Sequence, residues 1–260
     1  MFTSSGPTLR ELAVQALSSV EHGYDLLAPR FNETPFRTPD RLLEPVLGAM
    51  RPLGPFRSGL DLCCGTGAGA GVLRALCTER VTGVDFSAGM LGRARAAFTE
   101  PPGAEAPGVE GHGAEGPAPE PAPRIGWVRA DARALPFVSA FDLAVSFGAF
   151  GHFLPAERPG LFAEVHRSLR PGGRFVFPLP APPPVGSRLY WALWGFDAAM
   201  RVRNLVWHPS FVMYYRTFKL TGVVAELRAA GFSVELLPVE GLGRRADGSP
   251  RCRLVVAGRA

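Results

Sequence analysis

The stretch Gly59-Leu60-Asp61-Leu62-Cys63-Cys64-Gly65-Thr66-Gly67-Ala68-Gly69 decides how this chain is read. Residues 59–64 begin as a short buried strand. Gly65, Gly67 and Gly69 then alternate with small residues, and 70–76 reads as the start of a helix. Strand, glycine turn and helix together make a nucleotide-binding turn. Glycine admits positive φ and removes the Cβ that would block a ligand. The helix start beyond it presents unpaired N–H groups and the positive end of the helix dipole, where a ligand carboxylate can rest. The glycines alone do not select the ligand, because Gly65 to Ala70 also fits the dinucleotide pattern G-x-G-x-x-A.

Three later stretches narrow the choice. Val81-Thr82-Gly83-Val84-Asp85 is a second strand ending in an acid. Trp127-Val128-Arg129-Ala130-Asp131-Ala132 is a third, again ending in an acid. Leu169-Arg170-Pro171-Gly172-Gly173-Arg174-Phe175 is a helix end, a turn and a strand. As a set these resemble the class I S-adenosylmethionine-dependent methyltransferases. Tyr24-Asp25, Cys64-Gly65-Thr66-Gly67 and Asp131-Ala132 loosely resemble the ubiquinone/menaquinone-biosynthesis-like group, methyltransferase type 11. The resemblance runs from about residue 20 to residue 258. It implies an α/β fold: a Rossmann-like, doubly wound, seven-stranded, mostly parallel sheet with an antiparallel last strand. A helical N-terminal segment and a lid insert after the fifth strand complete it.

Composition sets the outer bounds. The 260 residues suit one domain with a small cap, and 47% hydrophobic content is ordinary for a globular chain. The net charge of +5 comes from scattered arginines with Lys219 as the sole lysine, so no dense basic run points to nucleic acid. Cys63, Cys64, Cys77 and Cys252 lack metal-ligand spacing and read as reduced thiols of a cytoplasmic protein. No signal peptide is evident at the N-terminus, and arginines and Asp197 interrupt the apolar stretch 187–206, so no transmembrane span is expected.

Residues 1–56 read as an N-terminal helical cap and 57–260 as the cofactor-binding domain. Residues 7–27 carry Leu9, Leu12, Ala13, Ala16, Leu17 and Val20 at helical spacing. Thr38-Pro39-Asp40 reads as a helix start with Thr38 as N-cap. Residues 101–124, dominated by Pro, Gly, Ala and Glu, read as a mobile insert with little to pack. Residues 186–216, rich in aromatics, read as a lid and substrate segment.

The resemblance assigns roles residue by residue. Cys63, Gly65, Thr66 and Gly67 meet the methionine end of the cofactor, and Asp61 helps hold its ammonium. Asp85 accepts both ribose hydroxyls, since a carboxylate has two acceptor oxygens. Phe86 and Met90 flank the adenine, Asp131 and the Ala132 N–H bond its edge, and Ser146 and Phe147 line the pocket. His152, just past the fourth strand, is the candidate base or acceptor-orienting residue; a plain loop histidine competes with that role. Tyr24, Trp191, Trp194, His208 and Tyr214 are candidate acceptor contacts, with core packing as the competing role.

The expected function is methyl transfer from S-adenosyl-L-methionine to a small, apolar or aromatic acceptor, leaving S-adenosyl-L-homocysteine. The sulfonium is already activated, so no metal is required. Carbon, oxygen and nitrogen acceptors remain open, as do a monomer and a homodimer. An NAD(P)-binding oxidoreductase and a non-catalytic cofactor-binding regulator are the alternatives.

Overall fold

The computed structural model describes residues 8, 14–15, 17–34, 36–99 and 122–260. The first two strands and the turn between them follow the reading of the opening stretch. β1 (Phe56–Leu62) is buried along almost all its length, α3 (Ala68–Arg74) follows the glycine turn, and β2 (Cys77–Asp85) lies parallel to β1. The other strands are β3 (Arg124–Arg129), β4 (Phe141–Val145), β5 (Leu169–Pro180), β6 (Phe232–Pro238) and β7 (Cys252–Arg259). They form one seven-stranded sheet in the order β3-β2-β1-β4-β5-β7-β6. β7 runs antiparallel to both β5 and β6, while the pairs among β1 to β5 are parallel.

The remaining helices are α1 (Val20–Leu27), α2 (Asp40–Met50), α4 (Ala88–Thr99), α5 (Arg158–Ser168), α6 (Arg188–Val206) and α7 (Leu220–Ala229). Successive strand side chains point to opposite faces, and the core divides accordingly. Phe175, Phe177, Val255 and Ala257 join Phe162 of α5 and Leu227 of α7 on one face. Val176, Leu254 and Val256 join Met50 of α2 and Leu73 of α3 on the other. Both faces being covered fits the full burial of residues 59–62 of β1 and 143–145 of β4.

Two local expectations are corrected. The helix expected over 7–27 is broken at Ser18 and Ser19; the Ser19 hydroxyl accepts the His22 N–H and starts α1 afresh. A serine side chain that satisfies an orphan helix N–H competes with continuing the helix through it. Thr38 is not an N-cap, because α2 starts at Asp40 with Pro39 as cap and no capping side chain. Residues 7, 9–13 and 16 of the first helix, and nearly all of the 101–124 insert, lie outside the described residues.

Candidate active site

The sheet order reverses between β1 and β4, and at the carboxyl ends of such strands a crevice opens. A cavity of about 490 Å³ lies there, lined by Asp61, Cys63, Gly65, Thr66, Asp85, Phe86, Met90, Asp131, Ala132, Phe147 and His152. The turn at its floor is tightly wound: Cys63, Gly65 and Gly67 have φ of 54°, 52° and 95°. Gly67 starts α3 and sits behind the wall rather than on it, since a Cβ there would come within 2.8 Å of Phe98.

Asp61 is turned toward the first turn of α3. A Cβ on Gly69 would stand 2.3 Å from its Oδ1, so glycine is what lets the carboxylate fit. The Ala70 N–H bonds this carboxylate, yet Oδ2 has no partner although it is buried. Burial, reinforced by the neighbouring Asp85 charge, pushes the Asp61 carboxyl up to about 8 against the pull of the Ala70 bond. Asp85 is also raised by burial, but its two oxygens are held by the Gly65 N–H at 2.9 Å and the Ser87 N–H at 2.9 Å. Asp85 therefore fixes both the glycine turn and the start of α4. Burial likewise raises the thiols of Cys63 and Cys64, so neither is a poised nucleophile.

The N-terminal segment closes the other side. Tyr24 Oη lies 2.8 Å from His152 Nε2, and His152 Nδ1 lies 2.8 Å from the Val212 carbonyl oxygen. A carbonyl only accepts, so Nδ1 carries the proton and Nε2 accepts from the tyrosine. Burial lowers the His152 pKa and raises that of Tyr24, so the pair is neutral near pH 7. The adjacent Asp25 carboxylate accepts the Ser87 hydroxyl at 2.6 Å and the Gly89 N–H at 2.9 Å, capping α4. Thr66 donates to Asn32 at 2.9 Å. The Tyr24-Asp25 dipeptide thus ties α1 to both the fourth-strand loop and the second.

Residues 60–177 match the family model described as "Methyltransferase domain". The matched span carries the domain of the class I S-adenosylmethionine-dependent methyltransferases. It is 34% identical over 132 residues to the ubiquinone/menaquinone biosynthesis C-methyltransferase of Desulfotalea psychrophila, covering 50% of this chain and 44% of that protein. The chain spans less than half the length of the curated relatives it matches. Among solved structures, an S-adenosylmethionine-dependent methyltransferase of Mesorhizobium loti shares 26% identity at a TM-score of 0.50, over 83% of this chain and 96% of that one. The magnesium protoporphyrin IX methyltransferase of Synechocystis, with S-adenosylhomocysteine bound, shares the fold at 17% identity and a TM-score of 0.53, over 85% and 82%.

The cofactor of this methyltransferase class is S-adenosylmethionine, and the residues present fit it. The partnerless Asp61 Oδ2 is the acceptor an ammonium needs, since an isolated buried carboxylate is otherwise costly. Asp85 keeps acceptor capacity beyond its two backbone bonds. The structure departs from expectation at Asp131, where Arg133 donates to both carboxylate oxygens at 2.7 to 3.0 Å and also reaches Glu157. That bond holds Asp131 below the ordinary carboxylate range. An adenine amino group at Asp131 would share an oxygen with this arginine.

The remaining candidates fall outside the methyltransferase cavity wall. The Ser146 hydroxyl is buried and donates to the Leu62 carbonyl, binding β4 to β1. Trp191 and Trp194 are 57% and 50% exposed on α6, and His208 is also exposed. Tyr214 is buried, accepts the Asn204 amide at 3.0 Å and lies under the Arg201 guanidinium. α6 is thus a buttress rather than an aromatic roof. Its buried Asp197 accepts the Tyr215 and Arg216 N–H groups, and holds the chain that brings Ser210 and Val212 to the cavity. Phe31, Phe36, Arg37, Phe153, Arg133 and Glu157 line the wall without having been singled out as site residues. Only Phe31 carried a signal, its place in the segment after Tyr24-Asp25.

Proposed function

We propose that the protein moves a methyl group from S-adenosylmethionine to a small, largely apolar acceptor. When bound, the cofactor supplies a methyl carbon already activated by its sulfonium. Orientation and proton handling are then left to the chain. Asp61 receives the ammonium, Asp85 accepts from the ribose, and Phe86 and Met90 flank the adenine. Residues 1–56 act as the cap over a catalytic domain of 57–260.

The acceptor end is assigned to Val20, Tyr24, Phe31, Phe36, Phe153 and Val212, which line the cavity together with the polar Glu21, Arg37, Thr38 and Ser210. The apolar part of this wall favours a flat or aliphatic molecule and keeps water from the transfer. The neutral Tyr24–His152 pair suits an acceptor that must lose a proton. Tyr24 Oη takes the acceptor's proton as its own proton passes to His152 Nε2. Val212 then holds the imidazolium through Nδ1–H. The observation that supports this reading most is that Asp61, with its partnerless Oδ2, and the Tyr24–His152 pair line one cavity.

The test is S-adenosylhomocysteine formation with a panel of apolar phenols and quinols beside polar amines. Turnover confined to the apolar members supports the proposal. Turnover confined to the amines contradicts the acceptor class, and cofactor binding with no turnover across a broad panel favours the non-catalytic alternative.

A further inference from the structure

α6 is apolar on two sides, and the described residues of the fold cover only one of them. Its inward face carries Leu193, Phe196 and Met200 around the buried Asp197. Its outward face presents Trp191, Trp194, Val202 and Leu205, which are 57%, 50%, 60% and 81% exposed. These positions follow one another at intervals of three and four residues, apart from the small Ala198, so they form one stripe along the helix. From Trp191 to Leu205 that stripe is about 21 Å long. Val185 in the preceding turn and Val206 at the helix end are also exposed, while the half-exposed Trp207 donates its indole N–H to the Leu17 carbonyl. A contiguous apolar face of this kind marks an interaction surface.

Charge selects the partner. Arg188 is exposed at one edge of the stripe, Arg201 is exposed at the other with its guanidinium over Tyr214, and the helix's one acid, Asp197, is turned inward. A second copy of the helix would bring tryptophans and arginines with no carboxylate to meet them. An anionic lipid surface offers both halves of the match: acyl chains for the stripe, and phosphates for arginines that can extend to the headgroups. Tryptophan has its preferred place at that boundary, with the ring in the apolar zone and the indole N–H in the headgroups. No described helix is long and apolar enough to cross a membrane, so the helix would lie in the surface plane.

We propose that α6 docks this protein on an anionic membrane surface through the Trp191–Trp194–Val202–Leu205 stripe. The chain leaving α6 runs directly to Ser210 and Val212 in the cavity wall, so docking sets the cavity beside the lipid boundary. The proposal does not rest on methyl transfer, and S-adenosylhomocysteine affinity is measured alongside as a separate readout.

The experiment is co-sedimentation of the full chain with vesicles of phosphatidylcholine alone and of phosphatidylcholine mixed with phosphatidylglycerol. Binding to the mixed vesicles, with a blue shift of tryptophan emission, is expected, and at least tenfold weaker binding to the neutral ones. The Trp191→Ser/Trp194→Ser double variant, and separately Leu205→Ser, should each lose most of that binding while keeping the wild-type melting temperature and S-adenosylhomocysteine affinity. Arg188→Gln should weaken it roughly fivefold. Equal binding by wild type and stripe variants, or no binding by folded wild type, overturns the proposal. A dimer that Trp194→Ser converts to monomer also overturns it, by assigning the face to a second copy.

Discussion

The Tyr24 hydroxyl lies 2.8 Å from His152 Nε2 across 128 residues of sequence, joining the N-terminal helix to the loop after β4. Tyr24 is bounded by Phe31 at 6.1 Å and stacks on Phe211 at 6.5 Å between ring centroids, so its position is fixed by packing as well as by the bond. A rigid hydroxyl with one side on a neutral imidazole and the other on the cavity is suited to proton transfer.

Tyr24→Phe keeps the ring packing and removes only the hydroxyl. We expect kcat to fall about a hundredfold, at the lower end of general acid–base effects. The S-adenosylhomocysteine affinity should stay within a fewfold of wild type. Steady-state kinetics with calorimetry on the same sample checks both. A kcat within twofold of wild type removes the tyrosine from the proton path.

The pH dependence follows from His152. Its folded pKa is lowered from the ordinary histidine value of 6.5 by burial, against a smaller pull from Val212. For a base whose folded pKa is depressed, the stabilising difference is present above the unfolded value and is lost as pH falls below it. The acid limb of kcat should therefore lie below the ordinary histidine range, and the melting temperature should fall over the same acidic window. His152→Asn should flatten both. An acid limb at or above 6.5 would mean that a different group carries the proton.

Asp61→Asn separates stability from binding. The folded Asp61 pKa near 8 lies above its unfolded value, so the native state holds the proton longer and stability declines as pH rises between the two. Removing the charge should raise the melting temperature at mildly alkaline pH. It should also weaken S-adenosylhomocysteine binding by on the order of 2 kcal/mol, the worth of a hydrogen bond to a charged group. With wild type, cofactor binding at neutral pH should release a proton, seen as a buffer-dependent binding enthalpy that the variant lacks. Unchanged affinity would take Asp61 out of the site.

Asp85→Ala removes the carboxylate that accepts the Gly65 and Ser87 N–H groups. Cofactor affinity should drop by about 1.5–3 kcal/mol, and stability should fall as well, because two backbone donors lose a charged acceptor. Thermal melts and calorimetry read the two effects separately. Wild-type affinity in a folded variant contradicts the ribose role.

The strands and the glycine turn were legible because local chemistry dictates them. Residues 59–62 of β1 and 143–145 of β4 are buried under both layers of helices, and Gly65 and Gly67 adopt positive φ. Asp85 and Asp131 drew attention as acids closing strands, and Asp61 through the family resemblance. What was not legible arose from side chains with two uses. Trp191 and Trp194 have the composition of a lid, yet a helix that is apolar on both faces does not declare which side turns inward. Arg133 gives no periodic signal, and it joins Asp131 to Glu157, which comes from the start of α5, 24 residues on. Ser18 and Ser19 sit inside a helical spacing pattern that their hydroxyls override, the first donating to the Val14 carbonyl and the second starting α1.

The central claim is that the crevice at the ends of β1, β2 and β4 is built for S-adenosylmethionine. Isothermal titration of the full chain with S-adenosylhomocysteine, and in parallel with NADH, tests it most directly. Saturable S-adenosylhomocysteine binding near micromolar Kd, about −8 kcal/mol, is expected, with no heat of binding from NADH. Tight NADH binding without any S-adenosylhomocysteine signal would contradict it.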